Sequence, residues 1–383
     1  MKLLSAASKA AFSSGKGVRK YLYPAETSRH AATILGFPSK CSTPQNYENA
    51  CGDIASLASA ILAFEPVRLY MRPENIPESQ PIVSQALTKY PSKASNISII
   101  PFPTNHLWVR DTGPVYVHGT DQSDIPRRFA INFRFNEWGK RDKINDFLPS
   151  MKPENLQENA SFAQRVIESD VSPYPVTSVE SKVCLEGGAL VVDGEGTLLA
   201  TESSIINDNR NPGLSQATIE AELQHLLGVE KIIWFPGRKD LDITDVHADA
   251  EVNFVRPGVV VLSRPHPSAP QPWKEVYGEI RRILDHSVDA KGRRFEVHTV
   301  DEPDPGSLES PSDDLATNYV NFYFVNGGLI IPQFGDALRD REALETFQKL
   351  CPDRVIQPVR VVELASQGGV IHCSTQPVLS VEE

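Results

Sequence analysis

The residues best suited to covalent chemistry lie near the C-terminus, in the segment GGVIHCSTQP. Cys373 ends an apolar run there and follows His372 and a pair of glycines at 368 and 369. A thiolate is a strong nucleophile, and glycine lets the backbone approach a ligand closely, so Cys373 is a candidate catalytic nucleophile. The alternative for a lone cysteine is a small buried apolar residue. We adopt that second interpretation for the four other cysteines, Cys41, Cys51, Cys184 and Cys351.

A second segment, DITDVHADA, contains His247 and Asp249 two positions apart. In an extended chain these two side chains lie on the same face. The pair is compatible with metal ligation, with acid and base catalysis, or with a surface turn. A zinc site that combines this pair with His372 and Cys373 is a further alternative, although the spacing fits none of the usual zinc ligand patterns.

Two more carboxylates lie beside apolar runs. In CLEGGALVVDGEGT, Glu186 precedes two glycines at the start of a predicted strand, where its side chain is either solvated or directed into a pocket. In LWVRDTGP, Asp111 follows Arg110 between two apolar runs. An ion pair between these two residues at the surface is the alternative to a binding role for Asp111.

Together these segments supply one thiol, one imidazole and three carboxylates, while the sequence lacks a glycine-rich phosphate loop, a GxSxG elbow and an HExxH helix. The set suits a guanidinium group, which is planar and cationic and has five N–H donors that two carboxylates can hold. The central carbon is then open to a thiolate. The formal charge of −11 favours a cationic ligand over nucleic acid or an anionic membrane, although an acidic surface also serves solubility alone.

From about residue 21 onward, pairs of apolar runs joined at Gly or Asn alternate with helical segments, and we predict that the pairs are β-hairpins. The predicted hairpins cover residues 107–135, 189–201, 250–263, 319–334 and 359–376. A polar residue stands at a similar point of each unit, about 66 residues apart on average: Asp111, Glu186, His247, Asn321 and Cys373. This spacing predicts a unit of strands plus a helix, used about five times, that directs its polar residues to a common centre. An ordinary α+β domain without symmetry is the alternative.

Apolar residues at three-and-four spacing predict five helices. They cover residues 47–64, 81–90, 215–227, 272–286 and 339–350. Ser215 is a suitable cap for the third of them. The Pro- and acid-rich stretch at 301–314 is predicted to be a loop, and long loops often act as gates. The stretch at 151–161 is predicted to be a second loop or a helix edge.

The composition is that of a globular protein, since 40% of the 383 residues are hydrophobic and 23% are charged. No stretch approaches the roughly 18 apolar residues needed to cross a bilayer, so we expect a soluble protein. Five scattered cysteines without a CxxC pair favour a reducing compartment. Residues 1–20 carry five basic residues and no acidic one, as in a transit peptide or a flexible extension. We expect a cytoplasmic protein, or a mitochondrial one if residues 1–20 are a transit segment.

These motifs resemble those of agmatine deiminase and the related bacterial-type peptidyl-arginine deiminases, within the guanidine-modifying superfamily. The matching stretches are YPAETSRHAATILGFP from residue 23, WVRDTGP from 108, EGGALVVDGEGTLLATESSIINDNRNP from 186, DITDVHAD from 242, YVNFYFVNGGLIIPQFGD from 319 and GGVIHCSTQ from 368. They follow the family's order and cover most of the chain. The resemblance implies a five-bladed α/β propeller (the pentein fold) of pseudo-fivefold ββαβ-type units, with residues 21–383 as a single catalytic domain.

The resemblance also implies the roles of the site residues. These are a nucleophile (Cys373), a general acid and base (His247), its partner and substrate ligand (Glu186), two guanidinium ligands (Asp111 and Asp249) and a residue lining the pocket (Trp108). The thiolate attacks the guanidinium carbon, ammonia leaves, and water hydrolyses the covalent thiouronium adduct. No metal or organic cofactor is implied. The expected partner is a small cationic guanidino compound, with no nucleic acid or membrane partner and with a homo-oligomer left open.

The reaction implied by the resemblance is the deimination of agmatine to N-carbamoylputrescine and ammonia, in polyamine metabolism. The alternatives are the same chemistry on peptidyl or free arginine, and a propeller that binds cationic amines without turnover. The chain departs from the family pattern at Val246, where Gly usually precedes the histidine, and at Ala250, where Asn or an aromatic residue often follows the second aspartate. A β-branched residue at 246 constrains the loop if that position needs a positive φ.

Overall fold

A computed structural model describes residues 21–43, 46–120, 126–170, 176–308 and 315–381. The extension or transit segment predicted at 1–20 lies outside the described residues, as do the last six residues of the loop predicted at 301–314. The first part of that stretch follows the end of a strand and contains a single 3₁₀ turn, Pro305–Ser307, which agrees with the loop prediction.

The strands and α-helices of the described residues follow one another along the whole chain. The strands are β1 (Tyr21–Leu22), β2 (His30–Gly36), β3 (Val67–Met71), β4 (Ile97–Pro101), β5 (Val115–Thr120), β6 (Pro126–Asn132), β7 (Val176–Glu180), β8 (Val191–Val192), β9 (Thr197–Thr201), β10 (Lys231–Phe235), β11 (Val252–Arg256), β12 (Val259–Arg264), β13 (Glu296–Asp301), β14 (Tyr323–Val325), β15 (Gly328–Gln333), β16 (Val355–Arg360) and β17 (Thr375–Leu379). The helices are α1 (Tyr47–Leu62), α2 (Ile76–Leu87), α3 (Val109–Thr112), α4 (Ile144–Phe147), α5 (Pro153–Glu168), α6 (Glu202–Ile205), α7 (Gln216–Leu227), α8 (Ala248–Glu251), α9 (Gln271–His286), α10 (Ala337–Leu350) and α11 (Val362–Ser366).

Five sheets share one connectivity: two antiparallel strands are followed by a helix and then by a strand that pairs parallel to the second. In the first such unit β5 and β6 are antiparallel, α5 follows, and β7 pairs with β6. The same order holds for β8, β9, α7 and β10, for β11, β12, α9 and β13, and for β14, β15, α10 and β16. In the fifth sheet β17 is antiparallel to β2, and α1 leads from β2 to β3. The mixed α/β fold predicted from the sequence is confirmed.

Four of the five predicted hairpins form antiparallel pairs, namely β5 with β6, β8 with β9, β11 with β12, and β14 with β15. The hairpin predicted at 359–376 is wrong. The chain there leaves β16, forms α11 and a turn, and enters β17, which pairs with β2 near the other end of the sequence. Because local sequence does not reveal a partner so far away, the apolar run before Cys373 could not be placed by periodicity.

Four predicted helices are confirmed within two residues at each end, as α1, α7, α9 and α10. Ser215 caps α7, since its hydroxyl accepts a hydrogen bond from the Thr218 backbone at 3.2 Å. The helix predicted at 81–90 begins earlier, at Ile76 in α2, and ends at Leu87. The loop or helix edge predicted at 151–161 is wrong, because α5 is a full helix of 16 residues. The first half of α5 is mostly polar, and its buried apolar residues begin only at Phe162, so the predicted stretch shows little helical periodicity. Its proline lies in the first turn, where proline is compatible with a helix.

Apolar side chains of strands and crossover helices form buried clusters that support the site segments. One cluster joins Leu35 of β2, Ile54 of α1, Phe324 of β14 and Ile371, two residues before Cys373. A close-packed core of this kind holds the adjoining loops in fixed positions. Within the stretches given above, none of the helices combines the length and apolar character that a membrane span requires.

Candidate active site

Three of the predicted site residues meet at the backbone of Gly188. A Cβ atom built on this glycine would lie 2.7 Å from His247 Nδ1, 2.9 Å from Asp111 Oδ1 and 3.1 Å from Asp249 Oδ2. These contacts are too close for any side chain at position 188. The glycine pair after Glu186 therefore allows an imidazole and two carboxylates from three separate segments to come together.

Asp111, placed by the sequence between two apolar runs, lies on α3, a single helical turn. Its Oδ2 accepts a hydrogen bond from Trp138 Nε1 at 2.8 Å, and its Oδ1 accepts one from the Gly188 backbone at 3.1 Å. Burial raises the pKa of Asp111, and the negative charges of Asp249 and Glu186 act in the same direction. The carboxylate is thus fixed in orientation, and a cationic ligand would stabilise its ionised form.

Arg110 does not form the surface ion pair with Asp111 that the sequence left open. It is buried, and its Nη2 donates to Glu26 Oε1 at 2.6 Å. The backbone N–H of Arg110 donates to the carbonyl of Cys373 at 3.1 Å. This arginine therefore ties the segments of Glu26, Asp111 and Cys373 to one another.

Glu186 and His247 form a buried pair. Glu186 precedes a 3₁₀ turn, Gly187–Ala189, and its Oε2 lies 3.0 Å from His247 Nε2. Arg210 Nε donates to both oxygens of Glu186, at 3.0 and 2.9 Å. Burial would raise the pKa of Glu186, but Arg210 and His247 outweigh it and hold that pKa below its ordinary value. Glu186 is therefore an ionised partner for the imidazole.

His247 is protonated at neutral pH. Burial lowers its pKa, but the carboxylates of Asp111 and Glu186 outweigh burial and raise the pKa of His247 to about 9. Its Nδ1 lies 3.7 Å from Asp111 Oδ1, which is longer than a hydrogen bond. One ring nitrogen is thus held by Glu186, and the other is free to exchange a proton with a ligand.

The loop before His247 is strained. Val246 has φ of 69° and Asp245 has φ of 62°, so both lie in the left-handed region that favours glycine. Two hydrogen bonds hold the Val246 backbone. Its N–H donates to Asp242 Oδ1 at 2.9 Å, and its carbonyl accepts from Thr201 Oγ1 at 2.6 Å. The positive φ that the family's glycine suggested is present, and surrounding contacts impose it on valine. The extended conformation considered for His247 and Asp249 ends at the histidine, because α8 begins at the next residue.

Asp249 is completely buried and only half of its carboxylate has a partner. Oδ2 lies 2.6 Å from His372 Nδ1, whereas Oδ1 has no hydrogen-bond partner among the described residues. A buried carboxylate oxygen without a donor is costly. The site therefore offers a strong acceptor for an N–H group of a ligand.

Cys373 lies two residues before β17 and is partly exposed. Its Sγ is 3.5 Å from Asn321 Oδ1, and Asn321 Nδ2 donates to the Asp249 carbonyl at 3.3 Å. Burial raises the pKa of the Cys373 thiol well above its ordinary value, and the charges of Asp249 and Asp111 raise it further. Asn321, singled out only by its place in the repeat, thus links the nucleophile candidate to the backbone of Asp249.

Trp108 also reaches this region. A Cβ atom on Gly369 would lie 2.6 Å from the indole ring, so the ring packs directly on the backbone of the segment that carries Cys373. The same ring is partly exposed and contacts an apolar cluster that includes Trp138. The expectation that Trp108 lines the substrate pocket stays a prediction.

The other cysteines do not join the site. Cys51, Cys184 and Cys351 are buried, as predicted, while Cys41 is partly exposed and donates from Sγ to Asn105 Oδ1 at 3.1 Å. The interpretation of Cys41 as a buried apolar residue is therefore wrong. Among the described residues, no group of three or more His, Cys, Asp or Glu side chains has the arrangement of a metal site, and the zinc alternative has no geometric support.

Sequence reasoning missed several residues of the site. Trp138 and Arg210 orient Asp111 and Glu186, and nothing in their local patterns pointed to that role. Glu26 lies in the stretch that begins YPAE, which was noticed for its resemblance but given no function. His372 was noted only as the neighbour of Cys373, although it contacts both Asp249 and Glu26.

Proteins of known family are similar to this chain over most of its length. A family model described as Porphyromonas-type peptidyl-arginine deiminase matches residues 22–378. An agmatine deiminase of Pseudomonas syringae pv. syringae (strain B728a) is 36% identical over 84% of this chain and 85% of its own. An agmatine deiminase of Pseudomonas aeruginosa (strain LESB58) is 34% identical over 92% of this chain and 94% of its own.

The fold is shared with solved structures. The structure of agmatine deiminase of Enterococcus faecalis has a TM-score of 0.79 at 27% identity, and the match covers 93% of this chain and 95% of that one. The family match includes every residue described in this site, from Glu26 to Cys373. The chain therefore belongs to the Porphyromonas-type peptidyl-arginine deiminase family.

Proposed function

We propose that this protein is an agmatine deiminase, a hydrolase that cleaves a guanidino C–N bond of agmatine and yields N-carbamoylputrescine and ammonia. Family membership and the agmatine deiminases that are 34% and 36% identical support the proposal. The observation that carries it is the meeting of His247, Asp111 and Asp249 around Gly188. The charges of the two aspartates also reach the Cys373 thiol.

The two aspartates are proposed to bind the guanidinium. Their carboxylates are buried, and Asp249 Oδ1 lacks a donor among the described residues, so N–H groups of a guanidinium would satisfy it. Charge-assisted hydrogen bonds of this kind are about twice as strong as neutral ones. The ligand charge would also relieve the repulsion that raises the pKa of Asp111. Trp108 is proposed to line the pocket beside them.

Substrate binding is proposed to prepare the nucleophile. In the free protein, burial and two carboxylates keep Cys373 as a thiol by raising its pKa. A bound guanidinium offsets these negative charges and favours the thiolate. The thiol proton is released to solvent as the substrate binds. The sulfur then forms a bond to the guanidinium carbon, and the electron pair of the C=N bond moves onto the nitrogen.

His247 is proposed to move the remaining protons. As an imidazolium it protonates the departing nitrogen, the C–N bond breaks, and ammonia leaves a thiouronium adduct on Cys373. The neutral imidazole then takes a proton from water, and the hydroxide adds to the adduct carbon. Breakage of the C–S bond restores the thiolate, and loss of the added hydroxyl proton to solvent gives the neutral ureido product. Glu186 holds Nε2 of His247 throughout.

The charges around the site favour agmatine over free arginine. The three basic side chains of this network are already paired: Arg110 with Glu26, Arg210 with Glu186, and Lys140 with Asp245. A substrate carboxylate would lie near the buried carboxylates of Asp111 and Asp249, and each of these three basic side chains already has a carboxylate partner. Peptidyl arginine lacks that charge, and the family description keeps it as the second candidate.

We further propose that the five sheets are the blades of a five-bladed α/β propeller and that residues 21–383 are one catalytic domain. The repeated connectivity and the pairing of β17 with β2 support this arrangement. The site residues come from segments spread from Glu26 to Cys373, as a central site in a ring requires. All five cysteines are free thiols, which supports a reducing compartment such as the cytoplasm.

The proposed function is tested by measuring ammonia release from agmatine, free arginine and a peptide ending in arginine. We expect agmatine to have the highest kcat/KM and Cys373→Ala to release no ammonia. Full activity of Cys373→Ala refutes the mechanism, and a higher kcat/KM for the peptide moves the function to the second candidate. Tight agmatine binding without turnover identifies a binding protein instead.

A further inference from the structure

His372 is held between two carboxylates. Its Nδ1 lies 2.6 Å from Asp249 Oδ2, and its Nε2 lies 3.0 Å from Glu26 Oε1. The side chain is only 5% exposed. Arg110 donates to the same Glu26 oxygen at 2.6 Å and, from Nε, to the His372 carbonyl at 3.3 Å. The imidazole therefore has a fixed place with a carboxylate on either side.

Only a doubly protonated ring satisfies both contacts. An ionised carboxylate accepts hydrogen bonds and donates none, while a neutral imidazole carries a single N–H. Burial and Arg110 lower the pKa of His372, but Glu26 and Asp249 outweigh them and raise it. The group then contains two cations, Arg110 and His372, and two anions, Glu26 and Asp249. This balance permits four charged side chains to be buried together.

The two histidines of the site differ in their freedom to move protons. His247 has one short contact, to Glu186 at 3.0 Å, and its other nitrogen is 3.7 Å from Asp111. His372 has a short contact at each nitrogen. Release of a proton from His372 would leave a buried carboxylate without its donor, whereas His247 can exchange one at Nδ1. The geometry thus assigns proton transfer to His247 and a fixed positive charge to His372.

The charged His372 ring determines how the unpartnered Oδ1 of Asp249 is oriented. Because His372 occupies Oδ2, rotation of the carboxylate is restricted, and Oδ1 remains without a partner. We propose that His372 is a positioning residue that, as a permanent imidazolium bridge between Glu26 and Asp249, orients the Asp249 carboxylate so that Oδ1 accepts an N–H of the substrate guanidinium. This inference rests on the proposed function and adds a residue that holds Asp249, the side chain proposed to bind the substrate.

A matched pair of variants tests the bridge. In His372→Asn the amide nitrogen takes the place of Nδ1 and still donates to Asp249, whereas in His372→Gln it takes the place of Nε2 and donates to Glu26. We expect the KM for agmatine to rise about 10-fold to 100-fold in His372→Gln and less than about 3-fold in His372→Asn. Thermal stability falls in both, since each loses one charged hydrogen bond. Equal increases in KM would overturn the inference, because a purely structural histidine predicts no difference between them.

A second measurement uses the parent protein and needs no stable variant of His372. Nitrogen NMR of ¹⁵N-histidine-labelled protein at pH 8 reports how many ring nitrogens carry a proton. We expect His372 to show two protonated nitrogens, with its signal identified by its shift in Glu26→Gln. A ring with a single proton would overturn the inference. A parent that does not turn over agmatine refutes the proposed function but leaves this spectrum interpretable, so the two failures are distinct.

Discussion

At the scale of single residues, the site contains neighbouring carboxylates whose negative charges disfavour a thiolate at Cys373 until a cation binds. Cys373 is kept as a thiol by burial and by two aspartates, while His247 is kept protonated by Asp111 and Glu186. Reactive cysteines more commonly have a lowered pKa in the resting protein. Here the compensating charge is supplied by the substrate, which restricts nucleophilic attack to cationic ligands.

The alkaline limit of activity tests the charge on His247. The imidazolium is required for ammonia to leave, so activity is present below the pKa of about 9 and is lost as the pH rises through it. In Glu186→Gln the ring loses a carboxylate that raises its pKa. We expect the alkaline limb of kcat, measured at saturating agmatine after the thiol proton has left, to move down by roughly one pH unit or more. Glu48→Gln, on an exposed helix residue, is the control and leaves the profile unchanged. An unchanged limb in Glu186→Gln would contradict this assignment.

The close contacts at Gly188 give a second prediction. In Gly188→Ala the new methyl group would displace His247 and Asp111, and we expect kcat/KM to fall by about 100-fold or more. Gly52→Ala is the matched control, because its Cβ has no neighbour within 4 Å and the residue lies inside α1. That control should keep full activity and gain about 0.5–1 kcal/mol in unfolding free energy. Normal activity of Gly188→Ala would show that the three groups need not meet there.

At the scale of elements, the loop before His247 shows what sequence can and cannot supply. Val246 was noticed because it replaces the family's glycine, and the positive φ considered for that position is present. The contacts that impose it, from Asp242 and Thr201, lie in other segments and leave no local pattern. The catalytic set was found because its types and order follow a known family, whereas the residues that orient it were missed.

The strain at Val246 is measured by comparing two substitutions at each of two sites. Val246→Ala and Val246→Gly both remove a buried side chain, but only glycine relieves a left-handed strain of about 1–2 kcal/mol. We expect the glycine variant to be more stable than the alanine variant by about 0.5 kcal/mol. At Val261, a buried residue of β12 without a positive φ, glycine should instead be less stable than alanine by about 1 kcal/mol. The same order at both sites, measured by denaturant unfolding, would rule out strain at 246.

At the scale of the whole molecule, the last strand is paired with the first long one. β17 joins β2, and Arg128 Nη1 of β6 donates to the Leu379 carbonyl at 2.8 Å. Cys373 lies directly before β17, so the position of the nucleophile depends on this long-range pairing. The repeated strand and helix unit could be predicted from periodicity, but this pairing could not, because its two strands lie at opposite ends of the chain.

Val378→Ala tests whether this pairing joins the chain into one cooperative unit. The residue is fully buried in β17, and we expect a loss of about 2 kcal/mol in unfolding free energy. If residues 21–383 are a single domain, thermal unfolding of parent and variant is one transition, and loss of activity coincides with loss of near-UV circular dichroism. Two separate transitions, or loss of activity well before the fold, would contradict a single domain.

The most direct test of the central claim is mass spectrometry of the protein quenched in acid during turnover of agmatine. The account predicts a covalent adduct with the mass of agmatine less ammonia on the peptide that contains Cys373, and its absence in Cys373→Ala. Turnover of agmatine without any adduct, or an adduct on another residue, would contradict the account.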